Sequence, residues 1–174
     1  MSVSLAVREA SRILAEHRGK RIPVNVERLA KSIGLSVMRE QLAHDISGLL
    51  VTNSRSATVI VNSDHAPTRQ RFTIAHEIGH YILGHQFEDG GHVHIDRGNY
   101  ISQRGPRAAQ GVDPKEIEAN WFAASLLMPE DTLRDEVEKL SVAALCDSHV
   151  EDLARLFRVS DHAMSVRLAA LHFL

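Results

Sequence analysis

His76, Glu77 and His80 constrain this chain more than any other residues, because they are three ionisable side chains in the largely apolar part of a helix, from Phe72 to Leu83. Pro67 and Thr68 open that helix and Gly84 closes it. Phe72, Ile74, Ala75, Ile78, Gly79, Ile82 and Leu83 make it apolar on several sides, the pattern of a buried helix. Burying two imidazoles and a carboxylate is costly unless something satisfies them. Residues four apart lie one above the other on a helix, so His76 and His80 can offer two ring nitrogens to one metal ion at ~2.0–2.1 Å. Glu77 stands about 100° around the helix, beside the metal rather than on it. A carboxylate there can take a proton from a water and return it to a leaving amine. The plainer alternative is a pair of hydrogen-bonded core histidines beside a solvated Glu77.

A catalytic zinc takes three protein ligands and keeps one position open. A histidine six residues beyond His80 would extend the motif, but that position is Gln86, and His85 falls one short. The expected source is Lys115-Glu116-Ile117-Glu118-Ala119-Asn120-Trp121-Phe122-Ala123-Ala124, in a helix opened by Asp113-Pro114 and ended before Pro129. One stripe of it carries Glu116, Ala119, Asn120, Ala123 and Leu127, small enough for close approach to the His76 helix. Glu116 is expected to be the third metal ligand, with Glu118 the runner-up. Asn120, one turn on, is placed to hydrogen-bond a ligand histidine. His92 and His94 alternate in Gly91-His92-Val93-His94-Ile95 and read as exposed loop residues, with oxyanion stabilisation the other reading. His85 reads as a partner of the helix C-terminus. Tyr81 and Tyr100 are further hydrogen-bond donors, and Cys146 reads as a small core residue among Ala143, Ala144 and Leu145.

Around these motifs the chain reads as α+β. Apolar positions at a helical period from Val3 to Leu14 predict a first helix, and a second runs from the Asn25 cap to Gly34. Leu35–Arg39, Gly48–Thr52 and Thr58–Asn62 predict a small antiparallel or mixed three-stranded sheet packed on the His-Glu helix. Asn53-Ser54-Arg55-Ser56 would join the last two strands as a hairpin. Residues 86–112 are glycine-rich and poor in apolar side chains, the pattern of a long loop. Two or three helices fill 130–174. The expected organisation is a metallopeptidase core over 1–130 and a helical extension over 131–174. No apolar run approaches the ~20 residues that a membrane helix needs. A single cysteine and the lack of a secretory pattern at Met1–Arg8 fit the cytoplasm.

Two stretches together, Thr68-Arg69-Gln70-Arg71-Phe72-Thr73-Ile74-Ala75-His76-Glu77-Ile78-Gly79-His80-Tyr81-Ile82-Leu83-Gly84-His85 and Glu116-Ile117-Glu118-Ala119-Asn120-Trp121-Phe122-Ala123-Ala124-Ser125-Leu126-Leu127-Met128-Pro129, closely resemble the ImmA/IrrE family of bacterial metallopeptidases. Ile46-Ser47-Gly48-Leu49-Leu50 and Val159-Ser160-Asp161-His162-Ala163-Met164 extend the likeness over most of the chain. The resemblance implies a gluzincin-like protease with zinc on His76, His80 and Glu116, manganese being the other candidate ion, and with Glu77 as the acid/base. It also implies action on helix-turn-helix transcriptional repressors in stress response or mobile-element transfer, or membership of a toxin–antitoxin-like pair. A substrate segment would bind extended along an exposed strand within residues 48–62. A second hypothesis comes from Val150–Met164, which has a helix-turn-helix look with its turn at Val159-Ser160. The chain would then be a DNA-binding regulator, or a zinc-containing module that grips a repressor without cutting it. Arg155, Arg158 and Arg167 are a thin supply of phosphate contacts for such a role.

Overall fold

A computed structural model describes residues 3–17, 21–85, 93–97, 113–142 and 144–174. Two helices, α1 (Val3–Glu16) and α2 (Val26–Ser32), come first. The Asn25 side chain caps α2 by accepting from Arg28 N at 2.9 Å. Gly34, at φ 85°, turns the chain out of α2 into β1 (Leu35–Glu40). Strands β2 (Gly48–Thr52) and β3 (Ala57–Asn62) form the expected hairpin. Its turn is held by Asn53, whose side-chain oxygen accepts from Arg55 N and Ser56 N at 2.8 Å each.

Next comes α3 (Pro67–Ile82), then a short strand β4 (Val93–Asp96) inside the segment expected to be a loop. Four helices complete the chain: α4 (Pro114–Leu127), α5 (Glu130–Leu140), α6 (Asp147–Phe157) and α7 (Asp161–Ala170). Among the described residues the sheet is therefore four-stranded, in the order β1-β3-β2-β4. Of its three pairs, β1–β3 is parallel and the other two are antiparallel. This order corrects one expectation: β2 and β3 are interior strands, so residues 48–62 offer no free edge, and the edge beside β2 belongs to β4.

Helix α3 packs between the sheet and α4. Gly79 allows the α4 contact, because a Cβ there would meet the Phe122 side chain at 3.1–3.2 Å. Gly48 allows the sheet contact, because a Cβ there would lie 2.5 Å from Thr73 Cγ2 and 2.8 Å from Ile60 O. Ile74, Ala75, Ile78, Phe122, Ala123 and Leu126 are all fully buried at this junction. The α6–α7 pair docks on the same body. Arg71 of α3 donates to Arg158 O at 3.1 Å, and buried Arg167 donates to Met128 O at 3.2 Å. Arg158 holds φ 53° at the turn, where a glycine is usual. No helix among the described residues is long and apolar enough to cross a membrane.

Candidate metal centre

The i, i+4 spacing on α3 brings the two rings to one place: His76 Nε2 and His80 Nε2 lie 3.0 Å apart. Helix α4 supplies Glu116, capped into position by Asp113, which accepts from Lys115 N at 2.9 Å. Glu116 Oε2 is 3.2 Å from His76 Nε2, and its Oε1 is 3.3 Å from His80 Nε2. Donors held ~2.0–2.1 Å from a tetrahedral ion sit roughly 3.3 Å from one another. The three residues thus have the chemistry and spacing of a divalent-metal site, and their ligand atoms all lie within 4.8 Å. Both rings are buried, whereas the Glu116 side chain is 30% exposed, so the trio opens to one side.

Each ring has a partner on its far nitrogen. His76 Nδ1 lies 3.0 Å from Asn120 Oδ1, in line with the sequence expectation. His80 Nδ1 lies 3.0 Å from His85 Nδ1, and His85 Nε2 lies 3.1 Å from Glu118 Oε2. His85 is therefore a buried ring facing His80 rather than a capping residue at the helix end. Glu118, the runner-up ligand, points to His85 and is not among the three convergent donors. Residues 116 and 118 are about 200° apart around a helix, so one turn of α4 serves both partners.

Glu77 is fully buried next to the trio. Its Oε2 meets His94 Nδ1 at 3.1 Å, while its Oε1 has no hydrogen-bond partner among the described residues. A buried carboxylate oxygen without a donor is where a proton-bearing ligand fits. His94 also reaches Glu116 Oε1 through Nε2 at 3.1 Å. This overturns the exposed-loop reading of His94. On β4, Val93 and Ile95 face solvent while His94 and Asp96 turn inward to α3. His92 and Tyr100 lie outside the described residues, and Tyr81 is 39% exposed. Cys146 is also exposed, which corrects its core reading. It sits just before α6 with Ser148 Oγ and His149 Nδ1 both 3.2 Å from its sulfur.

The charges in the cluster support one another. Burial works against an ionised Glu116, but hydrogen bonds from His76, His80 and His94 outweigh it and hold the carboxyl well below its usual range. Burial also disfavours a charged His94, yet Glu116 and Glu77 push its imidazole up to about 10. His76 is raised despite burial by Glu116, Glu77 and Asp96. His80 falls to about 3, first through burial and then through the neighbouring His76 and His94, against the pull of Glu116. The two carboxylates therefore favour a charged His94, while burial favours a neutral His80.

Residues 30–169 match a peptidase family described as the IrrE N-terminal-like domain. The chain is also 26% identical over 141 residues to "Uncharacterized immunity region protein 2" of Bacillus phage phi105, covering 76% of this chain and 82% of that protein. It is 36% identical over 81 residues to "Radiation response metalloprotease IrrE" of Deinococcus radiodurans. That second match spans 47% of this chain but 22% of the relative. With its donor trio inside the matched region, this chain belongs to the IrrE N-terminal-like family of metallopeptidases.

Proposed function

We propose that this protein is a zinc-dependent endopeptidase that cuts a helix-turn-helix transcriptional repressor and so relieves repression. One observation carries the reading: two imidazoles and the Glu116 carboxylate converge at metal-ligand spacing beside a buried carboxylate, Glu77, that has an unpartnered oxygen. Two histidines and a glutamate are a donor set that suits zinc, with manganese the alternative ion. The regulatory setting is supported by the relatives' names, an immunity region protein and a radiation response metalloprotease.

His76, His80 and Glu116 would hold a divalent ion, which would supply Lewis acidity toward a carbonyl and toward water near neutral pH. Glu77 accepts the proton of the attacking water at Oε1, which has no hydrogen-bond partner among the described residues, and delivers it to the departing nitrogen. His94 holds the other Glu77 oxygen, fixing the carboxylate's orientation, and its Nε2 side faces the opening of the trio. The substrate segment lies extended along β4, which among the described residues pairs only with β2 and bears exposed Val93 and Ile95. The α6–α7 pair is assigned to protein recognition rather than DNA binding. Of its arginines, Arg167 is 4% exposed and bonded to Met128 O, and Arg155 is paired with Asp152. That arrangement leaves little for phosphate contacts.

The test is incubation with a candidate helix-turn-helix repressor, with zinc or manganese and then with chelator. A discrete fragment that vanishes on chelation is expected. A stable complex that never yields a fragment under either metal would leave a repressor-binding module and end the peptidase reading.

A further inference from the structure

His85 and Glu118 take no part in the chemistry proposed above, yet both are buried against it. Gly84, at φ 66°, turns the chain back beneath the end of α3 without the penalty a Cβ would bring. His85 N then donates to His80 O at 3.1 Å, and the His85 ring meets the His80 ring edge-on at a centroid distance of 4.9 Å. The His85 and Glu118 side chains are 1% and 7% exposed. The three groups thus form a buried chain running from His80 through His85 to Glu118.

Proton bookkeeping along this chain has one solution, which rests on the reading of His80 as a metal ligand. Ligation needs a lone pair on His80 Nε2, the nitrogen facing His76 and Glu116. His80 must then carry its hydrogen on Nδ1 and donate it to His85 Nδ1, 3.0 Å away. With that nitrogen accepting, His85 carries its own hydrogen on Nε2, which needs an acceptor. The group waiting there at 3.1 Å is a carboxylate, which when ionised can only accept. A donor at residue 118 would have broken the sequence of bonds.

We propose that His85 and Glu118 are positioning residues, a relay that locks His80 in its ligating tautomer and orientation. Asn120 does the same for His76 with a single bond. The bland competitor is a buried pair that merely ties the end of α3 to α4. It predicts lost stability without a specific effect on metal binding.

The two are separated by zinc affinity, measured by competition with a chromophoric chelator, and by the visible spectrum of the cobalt-loaded protein. The forms compared are wild type, His85→Leu, Glu118→Leu, the double variant, His85→Gln and Glu118→Ala. The relay predicts zinc binding about 10–100-fold weaker in each leucine variant. Because the residues act in series, the double variant is no weaker than His85→Leu alone. His85→Gln, whose amide can accept from His80 and donate to Glu118, recovers most of the loss and restores the cobalt spectrum. Leucine variants that bind zinc within about twofold of wild type, or losses that simply add, overturn the relay. If a leucine variant does not fold, Glu118→Ala, which removes the acceptor and suits a helix, decides: weaker zinc binding with an unchanged melting point for the metal-free protein supports the relay, and unchanged binding overturns it. A wild type that binds neither zinc nor cobalt removes the metal site itself, and the relay with it.

Discussion

Glu77 is the residue on which the chemistry turns, and its isolation from the donor trio makes its role separable. It contributes no ligand atom to that trio, so Glu77→Gln should keep metal content at the wild-type level. Removal of an acid/base group costs roughly 10²–10⁴ in rate. Turnover of a cleavable repressor should fall by about that factor, and full activity in the variant removes Glu77 from the mechanism. A second expectation concerns pH. His76, one of the three proposed ligands, is raised by Glu116, Glu77 and Asp96 despite its burial, so its imidazole gains affinity for a proton in the metal-free cluster. A cation entering the trio competes with that proton. Apparent zinc affinity should therefore rise with pH, and binding should release protons. Titration calorimetry in buffers of different ionisation enthalpy measures that release; a buffer-independent heat would count against it.

At the level of elements, the site depends on how closely α3 approaches its two neighbours, and glycines set both distances. Gly48→Ala forces a Cβ within 2.8 Å of a β3 carbonyl, which cannot move without the sheet. Gly79→Ala presses on Phe122, whose ring can yield by a few tenths of an ångström. Overpacking costs about 1–3 kcal/mol, while replacing a mid-helix glycine returns roughly 0.5–1 kcal/mol. Gly48→Ala should thus be the more damaging in urea titrations, and Gly79→Ala should weaken zinc binding more than it lowers stability. Equal stability loss in the two would contradict this account. The helices, the hairpin and the trio were legible in the sequence because caps, periodicity and i, i+4 spacing are local signals. β4 was not, because its polarity is inverted: Val93 and Ile95 face water while His94 and Asp96 face the site. The alternation was visible, but an apolar-inward rule assigns the wrong face. The α3–α4 contact was expected from small residues on α4. Gly79 of α3, which receives the Phe122 side chain of α4, is a further small residue at that contact that the sequence reading did not assign.

Across the whole molecule, a few arginines join the C-terminal helices to the core. Arg167 is buried and serves the carbonyl that ends α4, so Arg167→Leu leaves that acceptor without its partner. Such a loss costs ~1–3 kcal/mol. Hydrogen exchange in α6 and α7 should rise in this variant while α3 stays protected. Uniform loss of protection would show that the C-terminal helices are inseparable from the core, against the division proposed between 1–130 and 131–174. The split of the donor trio between α3 and α4 has a further consequence during translation. At ~5–20 residues per second, the ribosome delivers Glu116 seconds after His80. A chain caught in that interval has both rings and Glu77 but lacks its third anchor. The proposed cutting activity therefore starts only after α4 has emerged, and a transcript broken ahead of its codons yields an inert product rather than an unregulated protease.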